Sequence, residues 1–145
     1  MTKSELLAFI RGYRLAVQAT VTPEGKAQAA VVAFAMNDAF EAVFDSVAST
    51  RKVQNLRANP SVALVIGGWG RGNEREVQYE GIADEPQGEE LEPLKALYLA
   101  KFPDGYERLS WPGLTYIRCR PTWIRYSDWT AQPPVIEEFV FNDER

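Results

Sequence analysis

Phe44-Asp45-Ser46-Val47-Ala48-Ser49-Thr50-Arg51-Lys52-Val53-Gln54-Asn55-Leu56-Arg57-Ala58-Asn59-Pro60 contains a local contradiction. An aromatic, β-branched run ending at Phe44 reads as a strand, and Ser49-Thr50 then offers a helix N-cap. Val53 and Leu56 supply an inner face and Asn59-Pro60 a stop, so the spacing predicts a helix of about two to three turns. Arg51 and Lys52 fall in its first turn, where unpaired N–H groups already concentrate positive charge, and two cations there are unfavourable. A bound anion resolves the conflict. The hydroxyls of Ser49 and Thr50, the free amides, a guanidinium and an ammonium make a compact candidate phosphate site, although the same residues also suit a solvated capping turn with a basic surface pair.

On the N-terminal side, Thr2 and Glu5 form a capping-box pattern, and Leu6, Leu7 and Ile10 recur at helical spacing. From Tyr13 the period becomes two: Tyr13, Leu15, Val17, Ala19 and Val21 alternate with Arg14, Gln18 and Thr20 up to the turn Thr22-Pro23-Glu24-Gly25. The return segment Ala27 to Met36 is small and apolar, breaks at Asn37-Asp38 and leads into Phe40 to Phe44. On the C-terminal side, Ser61 to Ile66 and Glu76 to Asp84 read as strands around the loop Gly67-Gly68-Trp69-Gly70-Arg71-Gly72-Asn73. Gln87 to Phe102 is helical, with its regular part starting near Pro93 and closing at Pro103-Asp104-Gly105. Leu114 to Arg120 and Thr122 to Trp129 are two further strands, and Val135 to Phe141 is another strand or a docked tail. Short turns and too few helices for βαβ crossovers predict an α+β fold, an antiparallel split β-barrel of about six to seven strands with flanking helices.

The 145 residues carry a formal charge of −4, which gives no positive field for nucleic acid or an anionic membrane, so a phosphate site must be local. One domain spanning residues 1–145 is the expectation at this length. With no histidine and the single cysteine Cys119, the usual zinc and histidine-haem ligands, Ser-His-Asp and Cys-His catalysis and an internal disulfide are all absent, and no metal site is expected. The first residues lack the apolar stretch of a signal peptide, so the expected location is cytoplasmic. The loop from Gly67 lacks a Walker ending and reads as a hairpin connection. Trp111, Trp123 and Trp129 are read as core rings, with a dimer seam or an aromatic pocket as the alternatives. Cys119 is expected inside, and Glu137-Glu138 is read as a solvated pair pointing to opposite sides of a strand.

The strand Ala30-Val31-Val32-Ala33-Phe34-Ala35, then Phe44-Asp45-Ser46, Ser49-Thr50-Arg51-Lys52 and Leu56-Arg57-Ala58-Asn59-Pro60-Ser61-Val62-Ala63-Leu64 resemble the FMN-binding split-barrel family of pyridoxamine 5'-phosphate oxidase. Arg75 to Gly81 and Arg120 to Tyr126 resemble later strands of that family. The resemblance spans about residues 12 to 129. It implies that Thr50, Arg51 and Lys52 hold the phosphate of FMN, with Ser49 beside them. It places the backbone of Val31, Val32 and Phe34 along the isoalloxazine, and Asp45 and Ser46 near the ring and ribityl chain. Glu76 stands where the family oxidase has a glutamine, and Trp69 near an aromatic loop position. The resemblance further implies a homodimer with the flavin at its interface, which agrees with a flat ring needing two apolar walls.

Two cations of the family oxidase are replaced by Ala30 and Ala35, and its C-terminal substrate-binding arginine and histidine pattern is missing, so pyridoxamine-phosphate oxidation is not expected. The expected function is that of an FMN-dependent oxidoreductase of unassigned substrate. A non-catalytic or flavin-free dimeric module, favoured by Ala30 and Ala35, and a deazaflavin user are the alternatives. No residue is assigned a catalytic role, since the flavin itself carries that chemistry.

Overall fold

The computed structural model describes residues 1–70 and 72–142. Helix α1 (Lys3–Arg11) starts at Thr2, whose side chain accepts from the Glu5 amide, and it buries Leu6 and Ile10. Strands β1 (Leu15–Val21) and β2 (Ala27–Ala33) form a hairpin, and β3 (Ala35–Met36) and β4 (Ala42–Val47) form the next. Helix α2 (Arg51–Ala58) precedes β5 (Ser61–Gly67) and β6 (Arg75–Asp84). A 3-10 turn at Gly88–Glu90 leads into α3 (Glu92–Lys101), with Pro93 in its first turn, and then into the short α4 (Gly105–Arg108). Strands β7 (Leu114–Asp128) and β8 (Val135–Val140) complete the sheet.

The hydrogen-bonding order is β2-β1-β5-β6-β7-β4-β3, antiparallel throughout, with β8 also on β7. Strands β2 and β3 lie at opposite ends of that order but are separated in the chain only by Phe34. The sheet must therefore curl until its two ends meet, which makes it a barrel. The segment read as one strand from Ala27 to Met36 is thus two. Phe34 is the switch point, fully buried, with its N–H donated to the Arg14 carbonyl rather than to a strand partner.

The two strands expected on either side of Pro121 are one. β7 runs through Pro121, and Glu80 pairs with Trp123 while Gly81 pairs with Pro121, so Thr122 is the extra residue of a bulge. The bulge reverses the in/out alternation: Thr115, Ile117 and Cys119 face the core before it, and Ile124 and Tyr126 after it. Since β6 holds one edge of β7, its other edge is shared, by β4 along Leu114 to Cys119 and by β8 along Trp123 to Asp128. That division is the split of the barrel. Val135 to Val140 is a paired strand, and Cys119 is buried as expected. The tryptophans are not core residues: Trp111 and Trp129 are exposed and Trp123 is half-buried. Bulky rings at the loops and the outer sheet face find no room in a barrel already filled by Phe34, Phe44, Tyr79 and Tyr98.

The alternation in β1 is oriented against first intuition. Its polar set, Gln18 and Thr20, points inward with Ala16, whereas Leu15, Val17, Ala19 and Val21 lie on the outer face. Val17 pairs there with Val31 and Val65, and Ala19 with Ala29 and Ala63, so an apolar patch runs across β2, β1 and β5. Among the described residues no helix is long and apolar enough to cross a membrane.

Candidate functional site

Helix α2 is pinned to the barrel through Asn55, which is buried and donates from its amide to the Thr20 hydroxyl at 3.1 Å and to Gln28 Oε1 at 2.6 Å. This anchorage presents the start of the helix to the inner side of the β1/β2 hairpin. Thr50 is the N-cap, but its side chain does not cap the helix. Its hydroxyl lies 3.1 Å from that of Ser46, and no acidic residue occupies the first turn. The first-turn amides of Arg51, Lys52 and Val53 therefore lack helical acceptors, and the positive pole of the helix is uncompensated. A cavity of about 410 Å³ opens there, lined by Ser49, Thr50, Arg51 and Lys52 on one side and by Gln18, Thr20, Gln28, Ala29 and Ala30 on the other.

A second cavity of about 230 Å³ adjoins the first at Lys52, a residue common to both. Its walls include Val31, Val32 and Ala33 of β2, Asp45, Tyr98, Phe102 and Arg108. Asp45 is committed to that wall: Arg108 Nε donates to one carboxylate oxygen at 2.7 Å and the Tyr98 hydroxyl to the other at 3.1 Å. Arg108 also bonds Asp104 at 2.9 Å. Burial, then the Asp45 charge, pushes the Tyr98 hydroxyl up to about 12, and the hydrogen bond to Asp45 holds Arg108 charged well beyond its ordinary range. Sequence reasoning missed Arg108 because α4 is four residues long and has no hydrophobic period. The pairing of Asp104 with Arg108 at helical spacing is the one local signal.

The remaining expected residues lie elsewhere. The Phe34 side chain is in the core, with the Lys101 ammonium 4.6 Å from its ring centre. Glu76 is on the outer sheet face, paired in register with Gly67 and Ser127, and accepts weakly from Trp129 Nε1 at 3.4 Å. Trp69 is half exposed in the adjoining loop, of which Arg71 falls outside the described residues. β6 is three strands from β2, about 14 Å across the sheet, so Glu76 and Trp69 do not join the α2 cradle within one protomer. Among the described residues no cluster of ligating side chains could hold a metal ion.

Lys101, whose ammonium lies near the Phe34 and Phe102 rings, donates to the Tyr13 carbonyl at 2.6 Å, and burial, helped by Arg14 and Arg11, lowers its pKa to about 8. Because its folded pKa lies below the unfolded value of 10.5, the unfolded chain binds more protons above pH 8, and stability must rise with pH there. Cys119, pushed up to about 12 from 9.0 by burial, acts in the opposite sense above pH 9. The N-terminal ammonium, raised from 8.0 by its hydrogen bond to Glu137, opposes it as well, so the contribution of Lys101 is read between about pH 8 and 9 as the rise in urea midpoint of the wild type relative to Lys101→Met. An unchanged slope in the variant overturns that contribution.

The family model of pyridoxamine 5'-phosphate oxidase matches residues 2–128. No curated protein matches the chain. Among solved structures, a heme binding protein from Mycobacterium smegmatis superposes with a TM-score of 0.82 at 17% identity, covering 97% of this chain and 58% of that one. A putative pyridoxamine 5'-phosphate oxidase from Listeria innocua gives 0.72 at 18% identity, over 86% and 96% of the two chains. HutZ, the heme storage protein from Vibrio cholerae, gives 0.70 at 18%, over 83% and 91%. The chain thus spans little more than half the length of the mycobacterial protein, and at these identities the likeness is one of fold.

Proposed function

The chain belongs to the pyridoxamine 5'-phosphate oxidase family, and from that premise we propose that it binds FMN and serves as a flavin-dependent oxidoreductase. The observation that supports this reading is the uncapped start of α2 with its two cations, opening on a cavity that continues along β2. Thr50, Arg51, Lys52 and the first-turn amides would hold the phosphate, and the cavity along Val31, Val32 and Ala33 would take the ring end. When bound, the flavin supplies hydride or electron transfer. Lys52 bridges the two cavities and so sets the spacing between them. Asp45, held by Arg108 and Tyr98, and Asp104, bonded to the same Arg108, are the carboxylates of the second wall.

The haem-binding neighbours favour a second reading, but the donor set of this chain argues against it. Haem iron is held by histidine, thiolate, methionine or tyrosinate: this chain has no histidine, Met36 is buried in the core, and Tyr98, the tyrosine that lines the second cavity, is pushed up to about 12 and committed to Asp45. Its one thiol is fully buried and kept protonated by that burial. The test is an absorption spectrum of the purified protein before and after addition of FMN and desalting, repeated with hemin. A retained flavin band with no shifted Soret band supports the proposal. The reverse result overturns it.

The same reading includes a homodimer with the flavin between subunits. Val31 is 63% exposed and Leu15 48%, and with Val17, Ala19, Val65 and Ala63 they form an apolar patch of the kind that soluble monomers rarely leave open. Only a second copy could bring a Glu76 and a Trp69 to the α2 cradle. Val65→Glu, on the outer face and away from both cavities, is expected to turn the dimer into a monomer in sedimentation equilibrium and to cost flavin retention. A variant that still sediments as a dimer counts against this face.

A further inference from the structure

We infer that Gln18 hydrogen-bonds the hydroxylated, phosphate-terminated chain of the ligand; this deepens the FMN proposal and rests on it. Gln18 is 1% exposed and lines the larger cavity, yet its Oε1 has no hydrogen-bond partner. Its neighbours on the same wall are provided for, since Thr20 and Gln28 both accept from Asn55. Gln18 stands directly opposite Ala30 in the β1/β2 register, so nothing larger than a methyl group faces it across the hairpin. A buried carboxamide oxygen without a partner is costly, and its inward position is accounted for when a ligand outside the chain completes it.

The chemistry of the group narrows the ligand. A carboxamide both donates, through its NH2, and accepts, through Oε1. Inorganic phosphate is mainly an acceptor and has only its P–OH hydrogens to offer Oε1, and an apolar ligand would match neither function. A phosphorylated polyol satisfies both, with hydroxyl hydrogens for Oε1 and ester or phosphate oxygens for the NH2. A neutral residue here also leaves the ligand's charge to Arg51, Lys52 and the helix amides, so that Gln18 reads the chain next to the phosphate rather than its charge.

The test uses Gln18→Leu, which keeps bulk and removes both polar functions, and Gln18→Glu, which keeps the shape and adds charge. Flavin-free Gln18→Leu is expected to unfold at a higher temperature than the flavin-free wild type, because an unpartnered polar group has left the interior. Its affinity for FMN is expected to fall by roughly tenfold, read by flavin fluorescence quenching. Gln18→Glu is expected to bind FMN more weakly still. Riboflavin, titrated in parallel, locates the contact: a matching loss assigns it to a ribityl hydroxyl, and an FMN-only loss to the phosphate ester. FMN affinity of Gln18→Leu within twofold of wild type overturns the inference, as does a lower unfolding temperature of the flavin-free variant, which would make Gln18 a structural residue. A wild type with no affinity for FMN overturns the flavin reading itself, and the role of Gln18 with it, and is recognised without any variant.

Discussion

Replacing Arg51 and Lys52 together with alanine is expected to weaken FMN binding by a hundredfold or more, so that the protein emerges colourless from desalting. Each cation would make a charge-assisted hydrogen bond to the phosphate, and such bonds contribute about 1.5–3 kcal/mol apiece. Losing two therefore removes roughly 3 kcal/mol or more, which corresponds to two decades in Kd. The fold should be indifferent. Neither side chain belongs to the core, and α2 is held instead by Val53, Leu56 and the Asn55 bridge to Thr20 and Gln28. Relief of the cation–dipole conflict should even leave the flavin-free double variant slightly more stable. Thermal unfolding measured beside FMN titration separates the two effects. Unchanged affinity would remove the phosphate from this end of α2.

Gly81→Ala is expected to be the most destabilising of the substitutions considered, by about 3 kcal/mol, through overpacking at the bulge. A Cβ at position 81 would overlap the Arg120 carbonyl oxygen and press on the Tyr79 ring, and the first of these is backbone that cannot swing aside. This is where β6 and β7 change register and where β7 turns from its pairing with β4 to its pairing with β8. A shift there disturbs both halves of the barrel. For a chain of this length the loss corresponds to a fall in Tm of roughly 10 °C, readable by circular dichroism. A melting point within 2 °C of wild type would mean that the bulge can relax.

The same bulge shows where local reading stops. Pro121 cannot donate to a ladder and so looked like the gap between two strands, but the register slip at Thr122 lets β7 pass through it. Likewise the uniform small residues from Ala27 to Met36 do not announce the break at Phe34, because it is imposed by the need to close the sheet and not by a turn residue. Arg108 was illegible as a site element for a related reason: a four-residue helix has no period to detect.

The chain's own pattern determined the order and type of its main elements, the antiparallel α+β barrel and the uncompensated positive charge of the helix start at Ser49 to Lys52. These rest on short-range physics: side-chain period, caps, turns and the charge of a helix end. Tertiary structure alone decided which face of β1 is inside, that Arg108 and Tyr98 clamp Asp45, that Gln18 stands opposite Ala30, and that Glu76 and Trp69 stand three strands from the cradle. Period two states that a strand has two faces but not which of them the barrel encloses. That choice depends on how the whole sheet curls and on the apolar outer face of β2, β1 and β5, which no single segment encodes.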